Sequence, residues 1–356
     1  MTEQSNFQRV TRFFLIAASL VVIVWGINQA KGVVVLFLVS AFLAVIGRVP
    51  VRWMERKGIP SVVAVLIVVA AMVTLVLGLG IVVGASLNDF SNALPVYQTR
   101  MHDMMQGFKD FLRTKGMRVT DKILLGYVNP EAILNFTGTL FAQLSSVLSN
   151  ILVILFTVMF ILLEGSGFPV KLRAVLGNPQ AAFPQLTKFA NDLKRYMFIK
   201  TLINLTAGIL TALWLSFLGV DFPVLWGFLA FLLHFIPSVG SIVAAVPAVI
   251  LALIQFGGGP ALLTATGYIV IGMILGNVIE PKIMGQRLGL SVLVVFVSLI
   301  VWGSMLGVVG ALLCIPLTMT VKLACEANEN TKWIAVLLGP EISPVIIEPV
   351  VTTKSM

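Results

Sequence analysis

Charge is the scarcest ingredient of this sequence. Its 356 residues hold only 15 Asp+Glu and 24 Lys+Arg, 11% charged against 58% hydrophobic, where a water-soluble chain carries roughly a quarter charged residues. So little charge cannot cover a surface in water, and lipid must cover it instead. Cysteine is nearly absent. Cys314 and Cys325, one in an apolar run and one just after it, support neither a disulfide framework nor a cysteine metal cluster. A Walker motif, a dinucleotide fingerprint and a large cytoplasmic domain are all missing, so ATP-driven transport by this chain alone is excluded and no cofactor or metal is implied. No carboxylate stands at the centre of an apolar run, which speaks against a proton relay through buried acids. The net charge of +9 lies between apolar runs, where membrane topology explains it and nucleic acid is not needed.

What is abundant is uncharged length. The long apolar runs are about 13–30, 33–47, 60–87, 146–163, 201–220, 222–256, 260–279 and 290–321, where roughly 20 residues cross a bilayer. The first follows Arg9 and Arg12 and is read as an uncleaved span, because no small-residue cleavage site closes it and a second run follows after Asn28-Gln29-Ala30-Lys31. Two runs are too long for one crossing. The segment 222–256 is broken by Pro237-Ser238-Val239-Gly240, and 290–321 by Gly303-Ser304-Met305-Leu306-Gly307 with Gly310 beyond. Each half suits a hairpin that enters and leaves by one face; the alternative is a single kinked helix.

Basic residues arbitrate, since short cytoplasmic segments are enriched in Lys and Arg. With the N-terminus inside, Arg48, Arg52, Arg56 and Lys57 lie inside, as do Lys171, Arg173, Lys188, Lys194 and Arg195. A hairpin at 222–256 then keeps Lys282 and Arg287 inside, and a second at 290–321 keeps Lys322 and the tail there. The expected fold is an all-α integral membrane protein with about six transmembrane helices and two re-entrant helical hairpins, eight apolar segments in all, plus an amphipathic helical extracytoplasmic segment. The divisions are 1–87, three transmembrane helices; 88–145, the amphipathic segment; 146–220, helices four and five with a basic cytoplasmic loop; 221–322, a hairpin–helix–hairpin transport core; and 323–356, a cytoplasmic tail.

In 88–145, Met101, Met104, Met105, Phe108, Phe111 and Leu112 recur at helical spacing between charges, a stripe for packing on helices or a membrane surface. Asn129-Pro130-Glu131 reads as a helix start, with an unbroken pattern to Glu164. The stretch 165–195, with Pro169, Pro179 and Pro184, reads as a loop.

The polar residues at mid-membrane are neutral and small: His234, Ser238 and Ser241 at the first break, Ser304 near the second, and Asn277 between them. They suit a small uncharged polar solute. Broken helices free backbone groups that persist in hydrocarbon only when protein, water or ligand satisfies them, and paired interrupted segments mark a transporter's binding site. The alternative is that Pro237, Gly240, Gly303 and Gly307 merely allow tight packing. Lys200, Asp221 and Glu280 stand near segment ends, as anchors or salt-bridge partners, and Glu280 with Lys282 and Arg287 could latch the hairpins. His234 with Ser241 is no protease pair, because Pro237 intervenes and no third orienting group is visible; no residue is assigned a catalytic role.

At these segments the chain resembles the autoinducer-2 exporter family of bacterial inner-membrane proteins. The resemblance rests on Trp226-Gly227-Phe228-Leu229-Ala230-Phe231, on Phe235-Ile236-Pro237-Ser238-Val239-Gly240-Ser241, on Asn277-Val278-Ile279-Glu280-Pro281-Lys282-Ile283-Met284-Gly285 with Leu288-Gly289-Leu290-Ser291, and on Trp302, Gly307, Gly310, Pro316-Leu317 and Lys322, with Tyr196 and Lys200-Thr201 upstream. His234 departs from it, standing where the family commonly has Asn. The resemblance implies export of autoinducer-2, a small hydroxylated signal, by a homopentamer whose protomers carry two hairpins that move like an elevator. It also admits sodium/proton antiport, since fold does not fix the solute; a passive pore or structural oligomer is the rival from another class. Gly240→Leu is expected to abolish transport and spare folding.

Overall fold

The computed structural model describes residues 18–19, 22, 25–115, 138–139, 150–176, 184–237, 239–284, 290–326 and 331–339. Among them every regular element is helical. In chain order these are α1 Lys31–Arg56, α2 Ser61–Thr114, α3 Ile151–Leu176, α4 Pro184–Leu218, α5 Pro223–Leu233 and α6 Gly240–Phe256. Then follow α7 Gly258–Gly272, a π-helical stretch Met273–Ile279, α8 Glu280–Met284, α9 Val292–Leu306, α10 Val308–Leu312, α11 Cys314–Glu326 and α12 Lys332–Leu337. Lys31–Arg56, Ser61–Ala93, Ala190–Leu218 and Gly258–Ile283 are long and apolar enough to cross a bilayer. Large apolar side chains stand exposed on the surface, Phe217 at 82% and Val292 at 86%. Patches of that kind are at home in lipid, not in water, and the chain is a multi-pass membrane protein.

The helices outlast the apolar runs, and two expectations change. The span 60–87 and the amphipathic stripe around 101–112 are one helix, α2, of 54 residues and so about 81 Å long, far more than a hydrocarbon core of roughly 30 Å. Polarity changes near residue 88, but nothing there stops a helix, and Pro95 is accommodated inside it. Arg48, Arg52 and Arg56, which follow the second apolar run, lie on the last turns of α1 itself. The stretch 165–195 is largely helical too: α3 runs to Leu176 and α4 begins at Pro184, where proline suits a first turn. Charge ends an apolar run, whereas only a cap or an unfavourable backbone ends a helix. The helix start at Asn129, together with Ser238 and Arg287, lies outside the described residues.

Among the described residues packing forms four cores, the smallest around Ile203, Ala207 and Leu275. Ala44 and Val51 of α1, Val65 and Val68 of α2, and Ile154, Val158 and Leu162 of α3 make the first. Here the Arg48 guanidinium donates to the carbonyls of Leu162 and Gly165, each at 3.4 Å. The far half of α2 supplies Val83, Phe90 and Tyr97 to a second core with Trp226, Leu229, Ala244, Ala248 and Tyr268. Its centre is Trp226, fully buried, whose indole N–H donates to the Asp221 carbonyl at 3.0 Å. Gly208 of α4 and Gly227 of α5 meet backbone to backbone: a Cβ on either would stand within 2.7 Å of the other's carbonyl oxygen, the close approach that small residues permit between membrane helices. The third core joins Tyr196 and Met197 of α4 to Cys314, Ile315 and Met319 of α11, with Trp302 of α9 and Phe42 of α1 packed against it.

Candidate functional site at the helix interruptions

Both long segments are broken as their glycines and proline suggest. In the first, α5 ends at Leu233 and α6 starts at Gly240. A Cβ at Gly240 would fall 1.8 Å from the Leu233 carbonyl oxygen, so only glycine lets the two halves fold back this tightly. That corrects the expectation for Gly240→Leu: the substitution would remove the turn itself, and loss of transport would say nothing about solute. The freed backbone donors are also engaged. Ile236 N–H bonds to the Leu233 carbonyl at 2.8 Å, Val239 N–H to Pro237 at 2.6 Å and Gly240 N–H to Ile236 at 3.3 Å.

In the second, α9 ends at Leu306 and Gly307 adopts φ 71°, ψ −148°, a conformation open to glycine and strained for other residues. Gly303 and Ser304 lie within α9, not at its break. A further break at Leu313 separates α10 from α11. Gly310 repeats the device of Gly240, since its Cβ would stand 2.0 Å from the Trp302 carbonyl oxygen. The halves are tied by a closed polar chain: the Trp302 indole donates to Thr318 Oγ1 at 3.0 Å, and Thr318 donates to Ser298 Oγ at 2.7 Å.

The strongest electrostatic feature lies beside the first interruption. Lys200 Nζ on α4 donates to both carboxylate oxygens of Glu280 at 2.8 Å, with 7% and 18% of the two side chains exposed. Lys200 lies inside the apolar helical stretch Ala190–Leu218 rather than at its end. Glu280 is set by the π-helical stretch ahead of it. Pro281 has no N–H for the carbonyl one turn back and its ring crowds that turn, and widened turns of this kind recur at functional positions. Glu280 pairs across to Lys200, whereas Lys282 on the same short helix is exposed.

One turn beyond Lys200, Asn204 is fully buried; with its amide turned to satisfy both atoms it donates to the Lys200 carbonyl at 3.3 Å and accepts at 3.1 Å from Phe235 N–H, which also bonds to the Leu232 carbonyl. Phe235 meets the ring of Phe42 edge-on, centroids 5.6 Å apart. The first tip, the ion pair and α1 are therefore joined through Asn204 and Phe42, neither of which sequence reasoning singled out. Asn204 left a signal, a lone amide in an apolar run one turn from a lysine; Phe42 left none.

The neutral set divides. His234 and Ser241 are half-buried at the first interruption, and Ser241 lies against Gly272 of α7. Asn277 and Ser304 are exposed, Ser304 donating to the Val301 carbonyl at 2.9 Å. Among the described residues no hydrogen bond joins any two of these four, and no cluster of His, Cys, Asp and Glu could hold a metal ion.

At the other end of the α5–α6 pair a second polar cluster closes its base. Tyr97 O–H donates to Asp221 Oδ2 at 2.6 Å, and Gln255 bonds to both the Tyr97 oxygen at 3.1 Å and the Asp221 carboxylate. Asp221 precedes α5 and Gln255 ends α6, so start and finish of the pair meet. Burial, and then the Asp221 carboxylate, push the Tyr97 phenol up to about 12.

Comparison with known proteins agrees with this architecture. A model of the AI-2E family transporters matches residues 13–330. The chain is 37% identical to the AI-2 transport protein TqsA of Escherichia coli (strain K12) over 328 residues, 92% of this chain and 95% of the relative. It is 35% identical to YhhT of the same organism over 323 residues, 91% and 93% of the two chains. A match of this extent is membership: the chain belongs to the AI-2E family of transporters.

Proposed function

We propose that this protein is a secondary transporter that exports the small polar signal autoinducer-2 across the bacterial inner membrane, with both termini in the cytoplasm. The observation that carries the export reading is the 37% identity, nearly end to end, to a relative named for AI-2 transport. Six helices would cross the membrane. The pairs α5–α6 and α9–α11 would enter and leave by one face, a reading supported by the meeting of Asp221 with Gln255 at the base of the first. At 11 and 17 residues, about 16 and 26 Å, α5 and α6 are each short of a full crossing. The segment 221–322 is the transport core; 1–87, 146–220 and the extracytoplasmic 88–145 form its scaffold, and 323–356 is a cytoplasmic tail.

The solute would be held around His234, Ser238 and Ser241, with Asn277 and Ser304 completing the site when the hairpins move as in an elevator. Pro237, Gly240, Gly303 and Gly307 shape it. Lys200 and Glu280 act as the gate, with Lys282 and Arg287 at its cytoplasmic side, and five protomers assemble. Such a transporter performs no catalysis.

The test is efflux of radiolabelled autoinducer-2 from cells lacking their own exporters, comparing wild type, Ser241→Ala and empty vector at matched membrane levels. Saturable efflux by the wild type, weakened in Ser241→Ala, is the expected result; efflux no faster than vector ends the export reading. Linear, non-saturating flux would point to a passive pore. The buried Lys200–Glu280 pair favours one further reading, cation/proton antiport, because ionisable pairs inside membrane segments commonly mark ion pathways. Sodium-dependent proton flux in membrane vesicles, lost in Glu280→Gln, would establish it.

A further inference from the structure

Two hydroxyls on α7 are sealed inside the protein without a partner. Thr264 is 0% and Tyr268 4% exposed, and neither Thr264 Oγ1 nor the Tyr268 hydroxyl makes a hydrogen bond among the described residues. This is unusual for buried polar groups, which are nearly always satisfied by protein or water. His234 Nδ1 at the first interruption is likewise buried without a partner, but other helical threonines are satisfied. Thr201, Thr206, Thr266 and Thr320 each donate to the carbonyl one turn back at 2.8–2.9 Å, and Thr266 does so on the same helix. Thr264 has that same escape within reach and does not take it.

The two hydroxyls lie one turn apart and so on one face of α7. The next position on that face is Gly272, which meets the side chain of Ser241 on α6. From Gly272 back to Thr264 is a rise of about 12 Å. On α6, Ala244 and Ala248 are fully buried in the same core as Tyr268 and offer no side-chain hydrogen bond. A row of hydroxyls thus leads from the first interruption back along α7.

We infer that the seam between α6 and α7 is a second binding position for a small hydroxyl-bearing solute, with Tyr268 and Thr264 its hydrogen-bonding groups and Ser241 linking it to the interruption. This deepens the transport reading and rests on it. A polyhydroxylated molecule both donates and accepts, as unpartnered hydroxyls require, whereas a bare cation takes only their lone pairs and leaves both O–H hydrogens unbonded.

The experiment uses the full chain with Tyr268→Phe and Thr264→Val, separately and together, since both replacements keep the shape. Concentration-dependent efflux of autoinducer-2 and the Tm of the purified protein are measured on each. The expected result is a KM about tenfold higher in the double variant, near the worth of one or two hydrogen bonds, with the maximal rate and the solute-free Tm kept. Unchanged efflux overturns the inference. A wild type that moves no autoinducer-2 counts against export itself, and the seam is then decided by stability. A Tm raised by added ribose, a small polyhydroxylated probe, in the wild type and not in the double variant sustains it; equal shifts in both overturn it.

Discussion

The two interruptions solve one steric problem in the same way and one polar problem in opposite ways. Gly240 and Gly310 both fit where a Cβ would collide with the carbonyl of the incoming half, Leu233 or Trp302. The second interruption then keeps its polar groups to itself, through Trp302, Thr318 and Ser298. The first also reaches outward: Phe235 N–H, bonded within the tip to the Leu232 carbonyl, faces the amide oxygen of Asn204 on α4, one turn from Lys200, which is bound to Glu280 beyond the π-helical stretch. By packing, both pairs touch α4 and α1, the second through Tyr196, Met197 and Phe42. The first also reaches the turn of α4 that carries Lys200 through a hydrogen bond, so a displacement of α4 is felt there through polar contact as well as packing.

The sharpest way to break this contrast is to cut the tether. Lys200→Met leaves the Glu280 carboxylate buried without its cation and should destabilise the protein by about 3–5 kcal/mol, seen as a lower Tm. The double variant Lys200→Met, Glu280→Met should regain most of that, since an apolar pair of similar volume is often as stable as an ion pair. If its transport recovers as well, the pair is only structural and the first interruption loses its distinction. Next in size, Gly240→Ala and Gly310→Ala should each cost about 1–3 kcal/mol or more by overpacking, and by similar amounts if the shared device is real. A Gly310→Ala protein with unchanged Tm would separate the two turns. Smaller again is Thr318→Val, which strands the Trp302 N–H and should cost about 1–3 kcal/mol. Transport per folded molecule should persist in that variant, because the second interruption holds no tether to the ion pair.

Much of this was legible in the sequence, for reasons that separate by scale. The breaks were readable because Pro237, Gly240 and Gly307 act on the backbone locally, and the membrane class because composition is a bulk property. Helix ends were not, because α2 and α4 run through changes in polarity that a hydropathy pattern mistakes for boundaries. Lys200 and Glu280 could each be marked as an ionisable residue beside an apolar run, yet their pairing required knowing that α4 lies along the π-helical stretch. Local sequence carries no record of that. Phe42 reaches Phe235 through packing alone, and Thr264 resembles every other helical threonine until its hydroxyl is found without a carbonyl.

The smallest predicted effect concerns the base of the first pair, where Tyr97, Asp221 and Gln255 hold its two ends together. Tyr97 lies outside the apolar span Ser61–Ala93, and its phenol is held up to about 12 against about 10 in an unfolded chain. Between those values the folded protein keeps a proton that the unfolded chain has lost, so stability falls as pH rises through that window and is fully present below it. Wild type should therefore lose Tm between pH 10 and 12 more steeply than Tyr97→Phe, which has no proton to release there and lacks the bond to Asp221 at every pH. Equal slopes would mean that the Tyr97 hydroxyl does not bind Asp221 in the membrane-embedded protein. The two ends of α5–α6 would then be held by Asp221 and Gln255 alone, leaving the first interruption with a looser base and the same tether.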